Sequence, residues 1–277
     1  MRDKIIIAAS GGFGDVACST CLLYHREELW PGMRLIWYIH PDCKDILKFN
    51  DKIDEVRVVG DPTPIDTETS LVINTAPWGN PAWVSRGVPY AQIPMRVVGK
   101  ELEGWHPYLC FSKEEDEAAG TFVKSLPYPK TVILETTCRS GQSSWLSENT
   151  SETMRICRSI LGPCNFLFAS KSGFAGNPKQ SLGFEASGVA ELGSFTIRQC
   201  IPIYNRSHLM VGISSGLSCS FCAWQASQEV ERVEFVYNSK MYGTWPMARG
   251  PLSVTDNVGD LYKKIAEAAQ RIKAHSS

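Results

Sequence analysis

The sequence lacks a surplus of charge of either sign, because 28 lysine and arginine residues nearly balance 29 aspartate and glutamate residues. The formal net charge is -1, so no overall positive field attracts nucleic acid or anionic lipid. The chain also lacks any apolar run near the ~20 residues that a membrane-spanning helix needs. We therefore expect no nucleic-acid partner and no transmembrane segment.

Histidine is scarce, and the five histidines form no pair with the spacing of metal ligands. Cysteine is frequent, but ten cysteines in 277 residues do not indicate a small disulfide framework. Cys18-x-x-Cys21 and Cys219-x-x-Cys222 have the spacing of metal half-sites. Both fall in predicted helices, where buried thiols that pack against a sheet are the preferred interpretation and a shared metal is the alternative. We predict no metal and no cofactor.

The first ten residues, M-R-D-K-I-I-I-A-A-S, leave no room for a signal peptide, because their apolar run is already typical of a strand. We therefore expect a cytoplasmic protein. The hydrophobic content of 43% and the charged content of 21% are those of a globular chain. Its length suffices for one large domain or for two of ordinary size.

What the chain does contain is an opening strand, a glycine-rich turn and a helix. Residues 5–8 are apolar, the turn follows at residues 11–14, and residues 16–30 have helical apolar spacing. This order begins a doubly wound α/β domain. The glycines do not spell the dinucleotide fingerprint G-x-G-x-x-G, and Asp15 places a negative charge where a pyrophosphate would bind. Asp15 therefore either faces a neutral substrate or only caps the helix.

Short apolar strands recur along the chain, which favours parallel sheets covered on both faces. Further strands are predicted at residues 34–40, 56–59, 71–74, 131–134, 166–169, 189–192, 209–213 and, as the last, 233–236. The segment P-Y-P at residues 127–129 breaks the chain, and each side of it begins with a strand, a loop and a helix. We predict two domains, residues 1–127 and 128–277, called the first and second halves below.

Capping signals predict where several helices begin. Ser112 and Glu115 form a capping box for a helix that continues to about residue 126. Asn149 is predicted to cap a helix that ends near Leu161, and the final helix is predicted to begin at Asp256.

Two loops of the second half are suited to holding phosphates. Residues 135–145 form a polar loop after a strand, E-T-T-C-R-S-G-Q-S-S-W, in which the Arg139 guanidinium can pair with a diphosphate. Residues 214–218 are rich in hydroxyls and lead into a helix N-terminus, where backbone N–H groups favour an anion. Ordinary helix capping explains either loop alone. Together, at the carboxyl ends of two strands, the loops favour a nucleotide-diphosphate site.

Two motifs carry a family resemblance. The first is Gly11-Gly12-Phe13-Gly14-Asp15-Val16, followed by a helix and by a strand that begins after Pro31-Gly32; the second, at residues 194–223, contains L-M-V-G-I-S-S-G-L-S before a helix. In this order and spacing they resemble the glycosyltransferases of family nine, the heptosyltransferase-like group. The resemblance covers both halves and is weak between about residues 60 and 110. It implies an α/β fold of two Rossmann-like domains with parallel sheets and a cleft between them, the GT-B architecture.

The resemblance also implies residue roles. Asp15 would be the general base that deprotonates an acceptor hydroxyl, and the sugar would be transferred with inversion from a nucleotide-sugar donor, without a metal. The donor would be held by Thr136, Thr137, Arg139, Ser140, Gly141, Gln142, Ser214, Ser215, Gly216, Leu217 and Ser218. The acceptor, a glycan, glycolipid or glycoprotein, would meet cleft residues Gly12, Phe13, Gly14, His40 and Trp78, the last suited to stacking on a sugar face.

Departures from the family pattern keep alternatives open. The family usually has an acidic residue where Ser214 stands and a histidine where Cys219 stands, so ADP-heptose is not assumed as the donor. One alternative is a module that binds a nucleotide or a glycan without turnover. A nucleotide-sugar epimerase or hydrolase would need more acid/base groups than Asp15, Glu135 and His40 supply. A DNA-modifying sugar transferase would need a basic groove that the net charge does not indicate.

Overall fold

The computed structural model describes residues 4–9, 12–62, 68–76, 80–86, 88, 92–99, 107–136, 145–168, 188–192, 195–213, 230–236 and 252–275. Within these residues the strands form two sheets, and every pairing between them is parallel. Each sheet is built from strands of one half. The predicted parallel sheets are therefore confirmed.

The first sheet has the strand order β3-β2-β1-β4. Its strands are short and rich in the β-branched residues that fit a pleated sheet. Each lies within a residue or two of its predicted bounds: β1 Lys4–Ala9, β2 Arg34–Ile39, β3 Glu55–Val58 and β4 Ser70–Asn74. Since the order reverses between β1 and β4, the ligand-binding edge of such a sheet lies at their carboxyl ends.

The prediction of a single helix at residues 16–30 is wrong. The chain instead forms α1 Phe13–Ser19, a 3₁₀ helix Thr20–His25 and the short α2 Arg26–Leu29. The Thr20 hydroxyl donates back to the carbonyl of Ala17 and accepts the N–H of Tyr108 at 2.8 Å, and such local side-chain bonds compete with a continuous helix. The first half continues with the 3₁₀ helix Pro41–Leu47, α3 Pro81–Ser85 and α4 Ile93–Val97.

The second sheet has the strand order β10-β9-β8-β5-β6-β7. Its strands are β5 Thr131–Glu135, β6 Asn165–Phe168, β7 Val189–Glu191, β8 Leu209–Ile213, β9 Glu231–Phe235 and β10 Leu252–Thr255. The prediction that residues 233–236 form the last strand is wrong, because β10 pairs with β9 at the edge. Strand β10 has four residues, two of them hydroxyl-bearing, so it shows no apolar run. The order reverses between the neighbours β5 and β8.

Four longer helices complete the fold: α5 Lys113–Lys124, α6 Ser147–Leu161, α7 Ile197–Tyr204 and α8 Val258–Ala274. The capping box of Ser112 and Glu115 is confirmed. The predicted cap at Asn149 is wrong, since α6 begins earlier and Asn149 is buried within it, accepting a hydrogen bond from Tyr262 at 3.1 Å. The cap of α8 is Asn257 rather than Asp256. No described helix is long and apolar enough to cross a membrane.

Two apolar clusters cover the faces of the sheets. One packs α6 and α8 on the outer face of the second sheet. The other contains residues from both sheets, such as Ile5, Trp37 and Met210, so that the two halves share continuous apolar packing. Helix α5 precedes the predicted boundary at residue 127 yet packs on α7 of the second half. The domain boundary itself stays a prediction.

Candidate functional site

Asp15 lies in the first turn of α1, directly after β1, at the carboxyl edge of the first sheet. Its Oδ2 atom accepts the backbone N–H of the N-cap residue Gly12 at 2.8 Å, so the carboxylate reaches back to cap the start of α1. Burial raises the pKa of Asp15, and the hydrogen bond from Gly12 opposes that rise. No described residue donates to Oδ1. The capping role is therefore observed, and the carboxylate is half-buried, with a donor from the described residues on one of its two oxygens.

A buried hydroxyl pair fixes the turn that bears Asp15. The Oγ atom of Ser19 lies 2.7 Å from the Asp15 carbonyl oxygen and 2.8 Å from the Oγ1 atom of Thr75. Thr75 follows β4, so this contact joins α1 to the strand beside β1. The link holds Asp15 at the point where the strand order of the first sheet reverses.

The structure brings His40 to the same edge as Asp15. His40 is exposed at the end of β2, and its Nδ1 atom accepts the N–H of Asp42 at 3.3 Å. It caps the 3₁₀ helix Pro41–Leu47, which packs against α1. Phe13 and Gly14 are half-buried in α1, beside the exposed cap residue Gly12, whereas Trp78 lies outside the described residues.

The predicted donor residues follow two neighbouring strands of the second sheet. Thr136 is buried directly after β5, and β8 ends at Ile213. Strands β5 and β8 pair with each other, so their carboxyl ends flank the point where the strand order reverses. The other predicted donor residues, namely Thr137, Arg139, Ser140, Gly141, Gln142, Ser214, Ser215, Gly216, Leu217 and Ser218, lie outside the described residues.

Glu135 is not the first residue of a polar loop, as the sequence predicted, but the buried last residue of β5. It is 4% exposed, and the Oη atom of Tyr204 on α7 donates to its Oε2 atom at 3.4 Å. Burial raises the pKa of Glu135 to about 8. Gly212 pairs with Glu135 across the sheet, and a Cβ atom there would lie 2.1 Å from the Glu135 carbonyl oxygen. This close approach requires glycine.

A second buried carboxylate, missed from the sequence, lies on the far side of Gly212. Glu234 of β9 pairs with Gly212 and is 0% exposed. Neither of its carboxylate oxygens accepts a hydrogen bond from a described residue. Burial raises the pKa of Glu234, while the charge of Arg232 on the same strand opposes the rise. The alternation in E-R-V-E-F was the available signal, because it places two charged residues on one face of a short strand.

The Cys18–Cys21 pair agrees with the preferred interpretation of buried, packed thiols. Cys18 and Cys21 are both buried, Cys21 in the apolar cluster that contains Ile5 and Trp37, and burial raises the pKa of Cys21 to about 12. Cys219 and Cys222 lie outside the described residues. In the part of the chain that the structure describes, no three potential metal ligands come together.

The fold is similar over its full length to solved glycosyltransferases. A glycosyl transferase of family 9 from Veillonella parvula matches with a TM-score of 0.71 at 16% identity, covering 99% of this chain and 98% of that chain. The Escherichia coli ADP-heptose LPS heptosyltransferase II matches at 0.65 with 12% identity, covering 99% of both chains. The E. coli heptosyltransferase WaaC, solved with ADP, matches at 0.61 with 13% identity, covering 97% of this chain and 100% of that chain.

No protein-family model matches the sequence, and no curated protein matches it significantly. At 12–16% identity the similarity establishes the fold. The predicted GT-B architecture, with two Rossmann-like parallel sheets, is confirmed, as is the resemblance in fold to the family nine and heptosyltransferase structures.

Proposed function

We propose that this protein is an inverting, metal-independent glycosyltransferase that moves a sugar from a nucleotide-diphosphate donor to an acceptor hydroxyl. The observation that carries the proposal is the position of Asp15, a half-buried carboxylate at the carboxyl edge of the first sheet in a fold shared with heptosyltransferases. Ligands of doubly wound sheets bind at this edge, where the strand order reverses.

In this proposal Asp15 is the general base. The N–H of Gly12 holds Oδ2 in place, which leaves Oδ1 to accept the proton of the acceptor hydroxyl. Because burial raises the pKa of Asp15, its affinity for a proton lies closer to that needed at neutral pH. The acceptor oxygen forms the new glycosidic bond as the bond to the diphosphate breaks on the opposite face of the sugar. The charge of Asp15 repels a diphosphate, which favours a neutral glycan, glycolipid or glycoprotein hydroxyl as its partner.

The donor site is proposed at the carboxyl ends of β5 and β8. The two phosphate-suited loops, residues 137–144 and 214–218, continue from these neighbouring strands in the sequence. Arg139 and backbone N–H groups of residues 214–218 would stabilise the charge that develops on the leaving diphosphate, so no metal is required. The match to WaaC, which was solved with ADP, supports a nucleoside diphosphate as the leaving group.

A second candidate is a nucleotide-binding or glycan-binding module without turnover. It is favoured by the hydrogen bond from Gly12 to Asp15, because a helix-capping contact explains this carboxylate without catalysis. The epimerase or hydrolase alternative needs another acid/base group in contact with substrate. Glu135 is 4% exposed and bonded to Tyr204, so it does not supply one, which leaves His40 beside Asp15 as the remaining candidate of the three.

The test is a calorimetric and thermal-shift screen of UDP, GDP, ADP, dTDP and CMP, followed by a transfer assay with sugar conjugates of the best binder. We expect a preference for one nucleoside diphosphate, since the proposed loops recognise two phosphates. CMP tests a single phosphate, and the monophosphate of the best-binding nucleoside is the matched control. The absence of binding to all four diphosphates would contradict the proposal, whereas binding without any sugar transfer would select the inactive module.

A further inference from the structure

A buried arginine joins the two halves of the molecule. Arg198 stands in the first turn of α7, in the second half, and its side chain is 4% exposed. All five of its N–H donors have acceptors. Nε and Nη2 donate to the two oxygens of Glu115 at 2.7 and 2.8 Å, Nη1 donates to the carbonyls of Asp45 at 3.1 Å and Ile46 at 3.4 Å, and Nη2 also donates to the carbonyl of Cys110.

These acceptors come from three separate parts of the chain. Asp45 and Ile46 lie in the last turn of the 3₁₀ helix Pro41–Leu47 in the first half, where helix carbonyls favour a cation. Cys110 lies in the segment 107–112 that leads to α5. Glu115 lies in the first turn of α5. One guanidinium group therefore joins α7 of the second half to two elements of the first half, the 3₁₀ helix Pro41–Leu47 and the start of α5.

The partners of Arg198 are themselves held in place. The Oε2 atom of Glu115 also accepts the N–H of Ser112 at 2.9 Å, so the capping box orients this carboxylate towards the arginine. Burial opposes ionisation of Glu115, yet the bonds from Arg198 and Ser112 hold its pKa below the ordinary value. The guanidinium carbon lies 5.2 Å from the ring centre of Phe49 and 4.9 Å from that of Phe111. Phe49 has a φ of 60°, a strained value for an aromatic residue.

Stability alone does not account for this arrangement. Removing two charges from water costs several kcal/mol, and well-packed apolar residues are often as stable as a buried ion pair. The apolar cluster shared by the halves is non-directional, so it holds them together without defining one orientation. Five hydrogen bonds in the fixed fork of a guanidinium are satisfied in one orientation only.

We propose that Arg198 is a positioning residue that fixes the orientation of the first half relative to the second. The 3₁₀ helix Pro41–Leu47, whose carbonyls accept hydrogen bonds from Arg198, packs against α1, the helix that bears Asp15. Arg198 thereby aligns the base of one half with the donor site of the other. The effect on transfer rests on the proposed function, whereas the effect on orientation does not.

The test compares Arg198→Gln with Arg206→Gln by small-angle X-ray scattering without ligand and by transfer kinetics. Arg206 is the matched control, because it lies just after the end of α7 and its Nη2 atom donates to Asp116 of α5 at 2.7 Å. For Arg198→Gln we expect a larger radius of gyration and a kcat lower by about 100-fold, the size of effect that misplacement by roughly 1 Å produces. The Kd of the nucleoside diphosphate should stay within about twofold, since the donor site lies in one half.

A scattering profile of Arg198→Gln that superimposes on those of the parent and of Arg206→Gln would overturn the proposal, whatever the kinetics. A second outcome is that the parent transfers no sugar while the radius of gyration of Arg198→Gln still exceeds that of the parent. That result would support the role of Arg198 in orienting the two halves and would contradict the proposed function. If Arg198→Gln does not fold, the pair Arg198→Met with Glu115→Met replaces the ion pair by apolar side chains. That double variant is expected to fold and to show the widened scattering. Failure of both to fold would make Arg198 a folding requirement and overturn the proposal.

Discussion

The first strand of each sheet leads to a carboxylate, and the two carboxylates have opposite surroundings. Asp15, after β1, is half-buried and bonded to a backbone N–H at a helix N-terminus. Glu135, at the end of β5, is buried beneath α7 and bonded to the Tyr204 hydroxyl. The same position in a doubly wound sheet thus serves two purposes. One carboxylate is partly exposed at the edge where the acceptor is proposed to bind, and the other, whose pKa burial raises to about 8, belongs to the interior near the proposed donor site.

The largest effect on this comparison is expected from Gly212→Ala. The added Cβ atom would lie 2.1 Å from the carbonyl oxygen of Glu135 and 2.7 Å from its Cβ atom, so the central strands β5 and β8 would have to separate. We expect a loss of about 3 kcal/mol or more in the free energy of unfolding, measured by urea denaturation. Gly120→Ala is the control, because its Cβ atom meets only the Arg206 side chain at 3.6 Å. Equal stability of the two variants would contradict the close approach at Gly212.

A smaller, pH-dependent effect is expected from Glu135→Gln. The pKa of Glu135 is about 8 in the folded protein against an ordinary value of 4.5, so between these pH values the folded state keeps a proton that the unfolded state releases. The parent should therefore lose stability as the pH rises through this window, whereas glutamine loses none. We expect the difference in Tm, Glu135→Gln minus parent, to increase by several degrees between about pH 5 and about pH 8.

The matched control for this prediction is Glu152→Gln on the surface of α6. The hydrogen bond from Arg155 lowers the pKa of Glu152, so its linkage to stability lies below the ordinary value of 4.5. Its Tm difference from the parent should be the same at both ends of the window. A Glu135→Gln variant that is equally insensitive to pH would show that Glu135 is ionised in the folded protein.

Local patterns sufficed to predict much of the fold. Apolar runs located nine strands, the Ser112–Glu115 box located the start of α5, and the glycine-rich turn placed Asp15 at a sheet edge. The errors arose where contacts between residues distant in sequence determine the local structure. Tyr108 helps to interrupt the first helix at Thr20, and Tyr262 is bonded to Asn149 inside α6. The burial of Glu135 depends on α7, which is distant in sequence. The roles of Arg139, residues 214–218 and Trp78 stay predictions.

The most direct measurement is the rate of sugar transfer by Asp15→Asn compared with the parent. Asparagine also caps helices and can accept the N–H of Gly12, but its amide cannot take a proton from the acceptor. We expect a Tm no lower than that of the parent, because asparagine carries no charge to bury, an unchanged Kd for the nucleoside diphosphate and a kcat lower by about 100-fold or more. A kcat close to that of the parent would contradict the assignment of Asp15 as the base and leave it as a helix cap alone.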